Sequence, residues 1–172
     1  MTARFVIERL GPSHDRSSFS CGKPALDNYL RQLAGQDARK HVANCFIATE
    51  LGSASVAGFY TFTAAGISVS DLPQTIARRL PRYPQVPAAL IGQLAVDTHF
   101  QGQRVGEALL LDAADRAIDS DPAVFALVVD AKDEDAAAFY RRYQFQPLTT
   151  RPMTFFLPVA AIEARRRADS KK

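Results

Sequence analysis

The apolar residues in the first half of the chain recur at two spacings, one typical of strands and one typical of a helix. Residues 3–10, ARFVIERL, and two β-branched and aromatic runs, VANCFIATE and SVAGFYTFTA, predict strands. LGSAS, between the last two runs, is a hairpin signal. In residues 23–40, Leu26, Leu30 and Leu33 fall on one helical face. The pattern therefore predicts a strand, a helix and then two antiparallel strands.

The second half alternates helices with strands. DLPQTIARRL predicts a short helix, the proline-rich PRYPQVP a loop, and ALIGQLAVD an apolar strand. After a polar turn, VGEALLLDAADRAI has helical spacing, AVFALVVDA predicts a strand, DEDAAAFYRRY a short helix and MTFFLPV a last strand. The acids that open DEDAAAFYRRY suit the positive end of a helix dipole. This order predicts an α+β or α/β sheet covered by helices, and not an all-helical or all-β fold.

Length and composition bound the class of protein. The chain has 172 residues and is 47% hydrophobic, enough for one core of ordinary size. We predict one domain over residues 1–165, followed by a frayed basic tail at 166–172. The N-terminus lacks a signal-peptide pattern, and no apolar run approaches the roughly 20 residues that span a bilayer, so we expect a cytoplasmic protein without a membrane segment. Cys21 and Cys45 are predicted to be free thiols, and no metal-ligand spacing is present.

Charge is unevenly distributed along the chain. The formal net charge is only +3, yet from residue 141 to the end eight Arg or Lys face two acids, a local balance of +6. Such a balance fits either an anionic partner or a solvated charged face, and composition alone leaves both interpretations open.

The turn in FQGQRVGEALL, residues 100–110, lies between a predicted strand and a predicted helix. Its backbone N–H groups could converge on an anion at the positive end of the helix dipole. The stretch is neither a Walker loop, which needs a Lys-Ser or Lys-Thr pair, nor the three-glycine dinucleotide motif. From these residues alone, an anion-binding turn and a plain loop remain equally open.

GQLAVDTHFQGQRVGEALLLDAADRAI resembles the coenzyme A pyrophosphate motif of the GNAT N-acetyltransferases, Q/R-x-x-G-x-G/A, and VVDAKDEDAAAFYRRYQFQPL resembles their second cofactor segment. With FSCGKPALDNYLRQLA and RPMTFFLP, the likeness covers almost the whole chain and is greatest to the GNAT toxins of bacterial type II toxin–antitoxin modules. It implies the GNAT fold, a mixed and mostly antiparallel sheet flanked by helices. It also implies acetyl-CoA as donor, the α-amine of aminoacyl-tRNA as acceptor, and a ribbon-helix-helix antitoxin as partner; a homodimer is common in the family.

The resemblance also implies a cofactor site. The strand would present its backbone to the pantetheine arm, and the loop would hold the pyrophosphate; the residues concerned are Leu94, Ala95, Val96, Gln101, Gly102, Gln103, Arg104, Val105 and Gly106. Arg104 departs from the family, which has a glycine there. If the backbone at this position is near the right-handed helical region, arginine costs little; a positive φ would make glycine the better residue.

Two groups are implied to be catalytic. The Val96 N–H would polarise the thioester carbonyl, and Tyr140 would protonate the departing thiolate. Tyr60 and Tyr143 are interpreted as packing residues. No general base stands out among the histidines, of which His99 alone precedes the motif closely. An α-amine ordinarily has a pKa of about 8 and a lysine amine one of about 10.4, so the missing base favours an α-amine acceptor.

Basic side chains would hold the RNA. The candidates are Arg31, Arg39, Arg78, Arg79, Arg141, Arg142, Arg165, Arg166 and Arg167. Two other functions stay open from the sequence: a housekeeping GNAT that acetylates a small amine or a protein N-terminus, and a CoA-binding module without catalysis.

Overall fold

The computed structural model describes residues 4–172, and Ala3, which begins the first predicted strand, lies outside them. Seven strands form one sheet in the order β1-β2-β3-β4-β5-β7-β6. The strands are β1 Phe5–Arg9, β2 Asn44–Glu50, β3 Val56–Ser68, β4 Gln85–Val96, β5 Ala126–Asp130, β6 Gln146–Pro147 and β7 Thr154–Pro158. The α-helices of the described residues are α1 Pro24–Asn28, α2 Ala34–Arg39, α3 Gln74–Ala77, α4 Val105–Ile118, α5 Glu134–Arg142 and α6 Val159–Ser170. This mixed sheet with its helices confirms the predicted fold class.

The chain forms two compact units. The first combines the described part of Met1–Thr63 with Ile91–Ala113, and the second combines Ala64–Leu90 with Ala114–Lys172. In the first unit, β1 pairs with β2 and β2 with β3, both antiparallel, which confirms the predicted hairpin. Its core is a cluster of fully or almost fully buried side chains that includes Phe19, Leu30, Ile47 and Phe59.

The helix predicted over residues 23–40 is interrupted. Between α1 and α2 the chain makes one π-helical turn, Tyr29–Leu33, in which the Ala34 N–H bonds to the Tyr29 carbonyl. The Leu30 carbonyl accepts a hydrogen bond of 2.9 Å from the Arg16 guanidinium. A side chain from outside the helix thus satisfies a carbonyl within the irregular turn, which the regular spacing of the leucines could not reveal.

The second unit has its own antiparallel pairs and core. β5 and β6 both pair with β7, and Ile67, Val86, Val128, Leu148 and Phe156 are buried together.

Three elements of the second unit differ in extent from the predictions. β4 begins at Gln85 inside the predicted loop, where the Pro87 carbonyl accepts a bond from the Phe125 N–H. The short helix α3 covers only Gln74–Ala77. The last helix continues to Ser170, through most of the tail that the sequence predicted to fray.

Two findings bear on the expected class of protein. Cys21 and Cys45 are free thiols, as predicted, and burial raises the pKa of the Cys45 thiol to about 12. Within residues 4–172, no helix is both long enough and apolar enough to cross a membrane.

Gly58 of β3 lies beside the end of β4 and the first turn of α4. A Cβ atom at this position would lie 2.9 Å from the Ala95 carbonyl oxygen, 3.0 Å from Val105 Cγ1 and 3.1 Å from Leu109 Cδ1. Ala95, Val105 and Leu109 are all buried. Only glycine therefore allows the first turn of α4 and the end of β4 to pack at this distance from β3.

We expect Gly58→Ala to destabilise the protein by about 1–3 kcal/mol, because the extra methyl group overpacks a site whose neighbours include main-chain atoms. Urea unfolding measures the change. Gly11→Ala is the matched control, since a Cβ there would have only the Arg9 carbonyl oxygen nearby, at 3.9 Å. Equal stability of the two variants would contradict the close approach.

Candidate active site

At the end of β4, successive main-chain groups point alternately toward β3 and away from it. The Asp97 N–H donates to the Ala57 carbonyl of β3 at 2.8 Å. Because successive amides of a strand point to opposite sides, the Val96 N–H points away from β3. The Val96 carbonyl accepts a bond of 3.3 Å from the Gln101 side-chain amide. The Val96 N–H therefore takes no part in the bonding of β4 to β3.

The loop that follows has two residues in the left-handed backbone region. Gly102 has φ +80° and Arg104 has φ +64°, on either side of Gln103. When residues in the left-handed backbone region alternate with residues in the right-handed region, successive N–H groups point into the same concave side of the chain. α4 then begins at Val105, and the Ala108 N–H donates to the Arg104 carbonyl at 3.0 Å in its first turn. The N–H groups that precede this bond have no carbonyl of their own helix to bond.

These donors fit a diphosphate. α4 has 14 residues, so its N-terminus carries a substantial helix dipole, and Arg104 brings no side-chain oxygen that would cap the first N–H groups. A Cβ built at Gly102 meets no atom within 4 Å, so the space beside the loop is open. When bound, acetyl-CoA would supply the activated acetyl group, and residues 101–106 would hold its pyrophosphate.

Arg104 takes the backbone conformation that favours glycine. A φ of +64° places it in the left-handed helical region, which costs a residue with a Cβ about 1–2 kcal/mol. The backbone at Arg104 is therefore not near the right-handed helical region, where arginine would cost little. Its side chain is 86% exposed, and its Nε lies 3.9 Å from a carboxylate oxygen of Glu107 in the first turn of α4. Arginine thus sits at a strained position but brings a positive charge beside an acid in the first turn of α4.

We expect Arg104→Gly to keep or slightly raise stability, because glycine adopts φ +64° without strain, and to change acetyl-CoA affinity by no more than about tenfold. Arg104→Val should lower the free energy of unfolding by about 1–2 kcal/mol, because a β-branched residue is a true outlier at positive φ. Urea unfolding and calorimetric titration with acetyl-CoA measure both. A valine variant as stable as the glycine variant would contradict the strained turn.

Tyr140 is a buried residue of α5, in the second unit, whereas Val96 and the loop belong to the first. Asp133 caps α5 by accepting a hydrogen bond of 2.8 Å from the Ala136 N–H. This bond confirms the prediction that acids of DEDAAAFYRRY lie at the start of the helix. Tyr140 is 5% exposed and packs edge-on against Phe139 and Phe145, with ring centroids 5.2 and 5.5 Å away. Burial raises the pKa of Tyr140, so the phenol is protonated at neutral pH and is able to donate a proton.

The alternative tyrosine at position 60 is engaged elsewhere. Tyr60 is fully buried in β3 and donates a hydrogen bond of 2.6 Å to the Asp112 carboxylate of α4. It stacks on Phe46, with ring centroids 5.2 Å apart. These contacts agree with the packing role predicted for it.

Asp97 is the residue that sequence reasoning missed. Its side chain is 6% exposed and accepts three hydrogen bonds, from the Ser20 N–H at 3.0 Å, the His99 N–H at 2.8 Å and the His99 ring nitrogen Nδ1 at 2.8 Å. Burial alone would raise the pKa of Asp97, but these bonds outweigh it and lower the pKa. The only signal in the sequence is an acid placed directly after an apolar strand.

The candidate RNA-binding arginines differ in how they are engaged. Arg31 donates to the Phe19 carbonyl at 2.6 Å and so braces the chain before α1. Four others have side-chain partners: Arg78 bonds Gln74, and Arg141, Arg166 and Arg167 pair with Glu134, Asp115 and Glu163. The remaining four are exposed and have no acidic partner among residues 4–172: Arg39, Arg79, Arg142 and Arg165.

A model of the acetyltransferase (GNAT) domain matches residues 41–147, which include β4, the loop, α4 and Tyr140. The chain belongs to the GNAT acetyltransferase family. It is 32% identical over 172 residues to a probable toxin TacT from Sinorhizobium fredii, across 94% of this chain and 95% of that protein. It is 33% identical over 159 residues to a tRNA-acetylating toxin from Mycobacterium tuberculosis, across 91% of this chain and 93% of that protein.

Solved structures of toxins have the same fold. AtaT complexed with acetyl-methionyl-tRNAfMet superimposes with a TM-score of 0.86 at 26% identity, over 93% of this chain and 98% of that chain. AtaTR bound with AcCoA gives a TM-score of 0.77 at 26% identity, over 94% of this chain and 97% of that chain. The likeness in each case extends over nearly the whole of both chains.

Proposed function

We propose that this protein is a toxin that transfers the acetyl group of acetyl-CoA to the α-amine of an aminoacyl-tRNA and thereby blocks translation. The observation that carries the proposal is the combination, in one unit, of a Val96 N–H that points away from β3 with a loop before α4 that is left-handed at Gly102 and Arg104. The 33% identity to a tRNA-acetylating toxin over 91% of the chain supports the choice of acceptor.

The chain contributes two groups to the reaction. The Val96 N–H donates to the carbonyl oxygen of the thioester and stabilises the negative charge that develops there. Tyr140 donates its hydroxyl proton to the sulfur of CoA as the carbon–sulfur bond breaks. Residues 94–96 and 101–106 hold the donor substrate through main-chain groups, and Arg104 adds a positive charge near the phosphates.

The acceptor is an amine that is already partly neutral. No general base stands out in the sequence, and His99, the histidine that closely precedes the loop, hydrogen-bonds the Asp97 carboxylate through Nδ1. An α-amine, whose pKa is ordinarily about 8, has a sizeable neutral fraction at neutral pH, and a lysine amine at about 10.4 does not. This difference supports aminoacyl-tRNA over a lysine side chain.

The remaining features follow from the same proposal. The protein acts as a single GNAT domain in the cytoplasm, and a ribbon-helix-helix antitoxin neutralises it. A homodimer is the expected state in solution. The support for the antitoxin is the similarity to a protein named as a probable toxin.

We expect Tyr140→Phe to keep the fold and the acetyl-CoA affinity but to reduce turnover by about a hundredfold or more, the usual scale for removing a general acid. Tyr60→Phe, which also removes one buried hydroxyl, is the matched control and should lower stability while leaving turnover per folded molecule near normal. Circular dichroism, calorimetry and initial rates separate these effects. A fully active Tyr140→Phe protein would remove this tyrosine from the chemistry.

The acceptor is tested with labelled acetyl-CoA and three acceptors: charged tRNA, the same tRNA after deacylation, and free amino acids or polyamines. We expect label only on charged tRNA, with an affinity that falls by about one logarithmic unit per logarithmic unit of salt for each phosphate contact. Equal transfer to small amines would instead indicate a housekeeping acetyltransferase. Acetyl-CoA binding without transfer to any acceptor would indicate a CoA-binding module.

Three of the exposed arginines that have no acidic partner among residues 4–172 sharpen the same experiment. Changing Arg79, Arg142 and Arg165 to Gln should weaken tRNA binding and flatten its salt dependence, while acetyl-CoA affinity is unchanged. Arg4→Gln is the control, because Arg4 is exposed but already pairs with Glu50 at 2.9 Å. An unaltered salt dependence in the triple variant would show that the RNA is held elsewhere.

A further inference from the structure

The chain immediately before α1 is fixed by hydrogen bonds from several other elements. The segment Phe19–Cys21 donates or accepts through every one of its residues: Arg31 bonds the Phe19 carbonyl, Thr98 N–H bonds the Ser20 carbonyl at 2.8 Å, and the Cys21 N–H bonds Asp27 at 2.9 Å. The Gln101 side chain lies 3.4 Å from the Cys21 carbonyl. The segment is therefore held from α1 on one side and from the turn after β4 on the other.

Asp97 joins this segment to the end of β4. Its main-chain N–H is bonded to β3 through Ala57, while its carboxylate Oδ2 accepts the Ser20 N–H and its Oδ1 accepts both donors of His99. The residue that follows Val96 is thus fixed through its main chain and both side-chain oxygens. Three N–H donors around one buried carboxylate are a strong arrangement, because hydrogen bonds to a charged acceptor exceed neutral ones.

We propose that Asp97 is a positioning residue, whose carboxylate sets the direction of the Val96 N–H and locks it to the segment Phe19–Cys21 before any substrate binds. The inference rests on the proposed function only in taking Val96 as the donor to the thioester carbonyl. Asp97 itself exchanges no proton with substrate. It acts by removing rotational freedom from the peptide units on either side of Val96.

Asp97→Asn is the direct test because it keeps the shape and removes one acceptor. The two oxygens face three N–H donors, so the amide nitrogen of asparagine must oppose at least one of them. The arrangement that loses least turns the nitrogen toward Ser20 and keeps the two His99 bonds. The link to the segment Phe19–Cys21 should therefore break first.

The readout is the infrared carbonyl stretch of acetyl-CoA labelled with carbon-13 at the thioester carbonyl. Binding to the wild-type protein should shift the stretch to lower frequency, because the Val96 N–H polarises the bond; in Asp97→Asn the shift should be mostly lost. Turnover per calorimetrically counted acetyl-CoA site should fall by about tenfold to a hundredfold, part of the loss seen when an oxyanion donor is removed outright. The Michaelis constant for acetyl-CoA should change far less than turnover.

Asp15→Asn is the matched control. Asp15 belongs to the same unit and also accepts a main-chain N–H, from Ser17 at 3.0 Å, but it is exposed. Its carbonyl shift and turnover should equal those of the wild type. The proposal is overturned if Asp97→Asn keeps the full carbonyl shift, or if Asp15→Asn loses it to the same extent.

A second measurement needs no variant. Hydrogen exchange of the wild-type protein without acetyl-CoA should show strongly protected Ser20 and His99 amides, since Asp97 fixes them in advance. Rapid exchange at both amides would overturn the proposal even if Asp97→Asn failed to fold. A wild-type protein that shifts the carbonyl stretch but acetylates no charged tRNA would refute the proposed acceptor and leave the role of Asp97 supported.

Discussion

The packing of the first unit depends on the close approach of α4 and the end of β4 to β3 at Gly58. A Cβ atom at this position would lie 2.9 Å from the Ala95 carbonyl oxygen, 3.0 Å from Val105 and 3.1 Å from Leu109, which is closer than ordinary van der Waals contact. The end of β4 and the start of α4 are the two sets of main-chain donors in the candidate site. Their separation is thus set by packing in the core, before any functional side chain contributes. Tyr60 and Asp112 add a hydrogen bond between the same strand and helix.

The candidate site uses main-chain groups, and its loop has a locally unfavourable conformation. Arg104 is held at positive φ, and its side chain has no oxygen that could cap the first N–H groups of α4. Both features would be unfavourable in a plain helix start. They become useful when an anion supplies the missing acceptors and the guanidinium offsets the Glu107 carboxylate beside it. Asp97 differs from these groups, because N–H groups of the protein itself bond its carboxylate. Its role is to hold the neighbouring residues in place.

The sequence predicted most strands and helices because their apolar spacing is regular, and the resemblance pointed to the loop and to Tyr140. It missed whatever depends on single hydrogen bonds between distant residues. The π-helical turn at Tyr29–Leu33 is supported by Arg16, which no periodicity could connect to Leu30. The extension of β4 through Pro87 was missed because proline is typical of breaks in a strand, although this strand uses only its carbonyl there. Asp97 was missed because its partner Ser20 is 77 residues away in sequence.

The protonation of Tyr140 constrains how the proposed reaction can be balanced. Burial raises the pKa of the phenol, which keeps the proton in place but also makes it a weaker acid than a thiol, whose pKa is ordinarily about 8.5. Proton donation to the CoA sulfur would therefore be unfavourable if it left a buried tyrosinate behind. The acceptor amine must lose one proton as the amide bond forms, and return of that proton to Tyr140 restores the phenol. The net change is one proton moved from amine to thiol, with the tyrosine unchanged, so the same burial that keeps Tyr140 protonated requires the two transfers to be closely coupled.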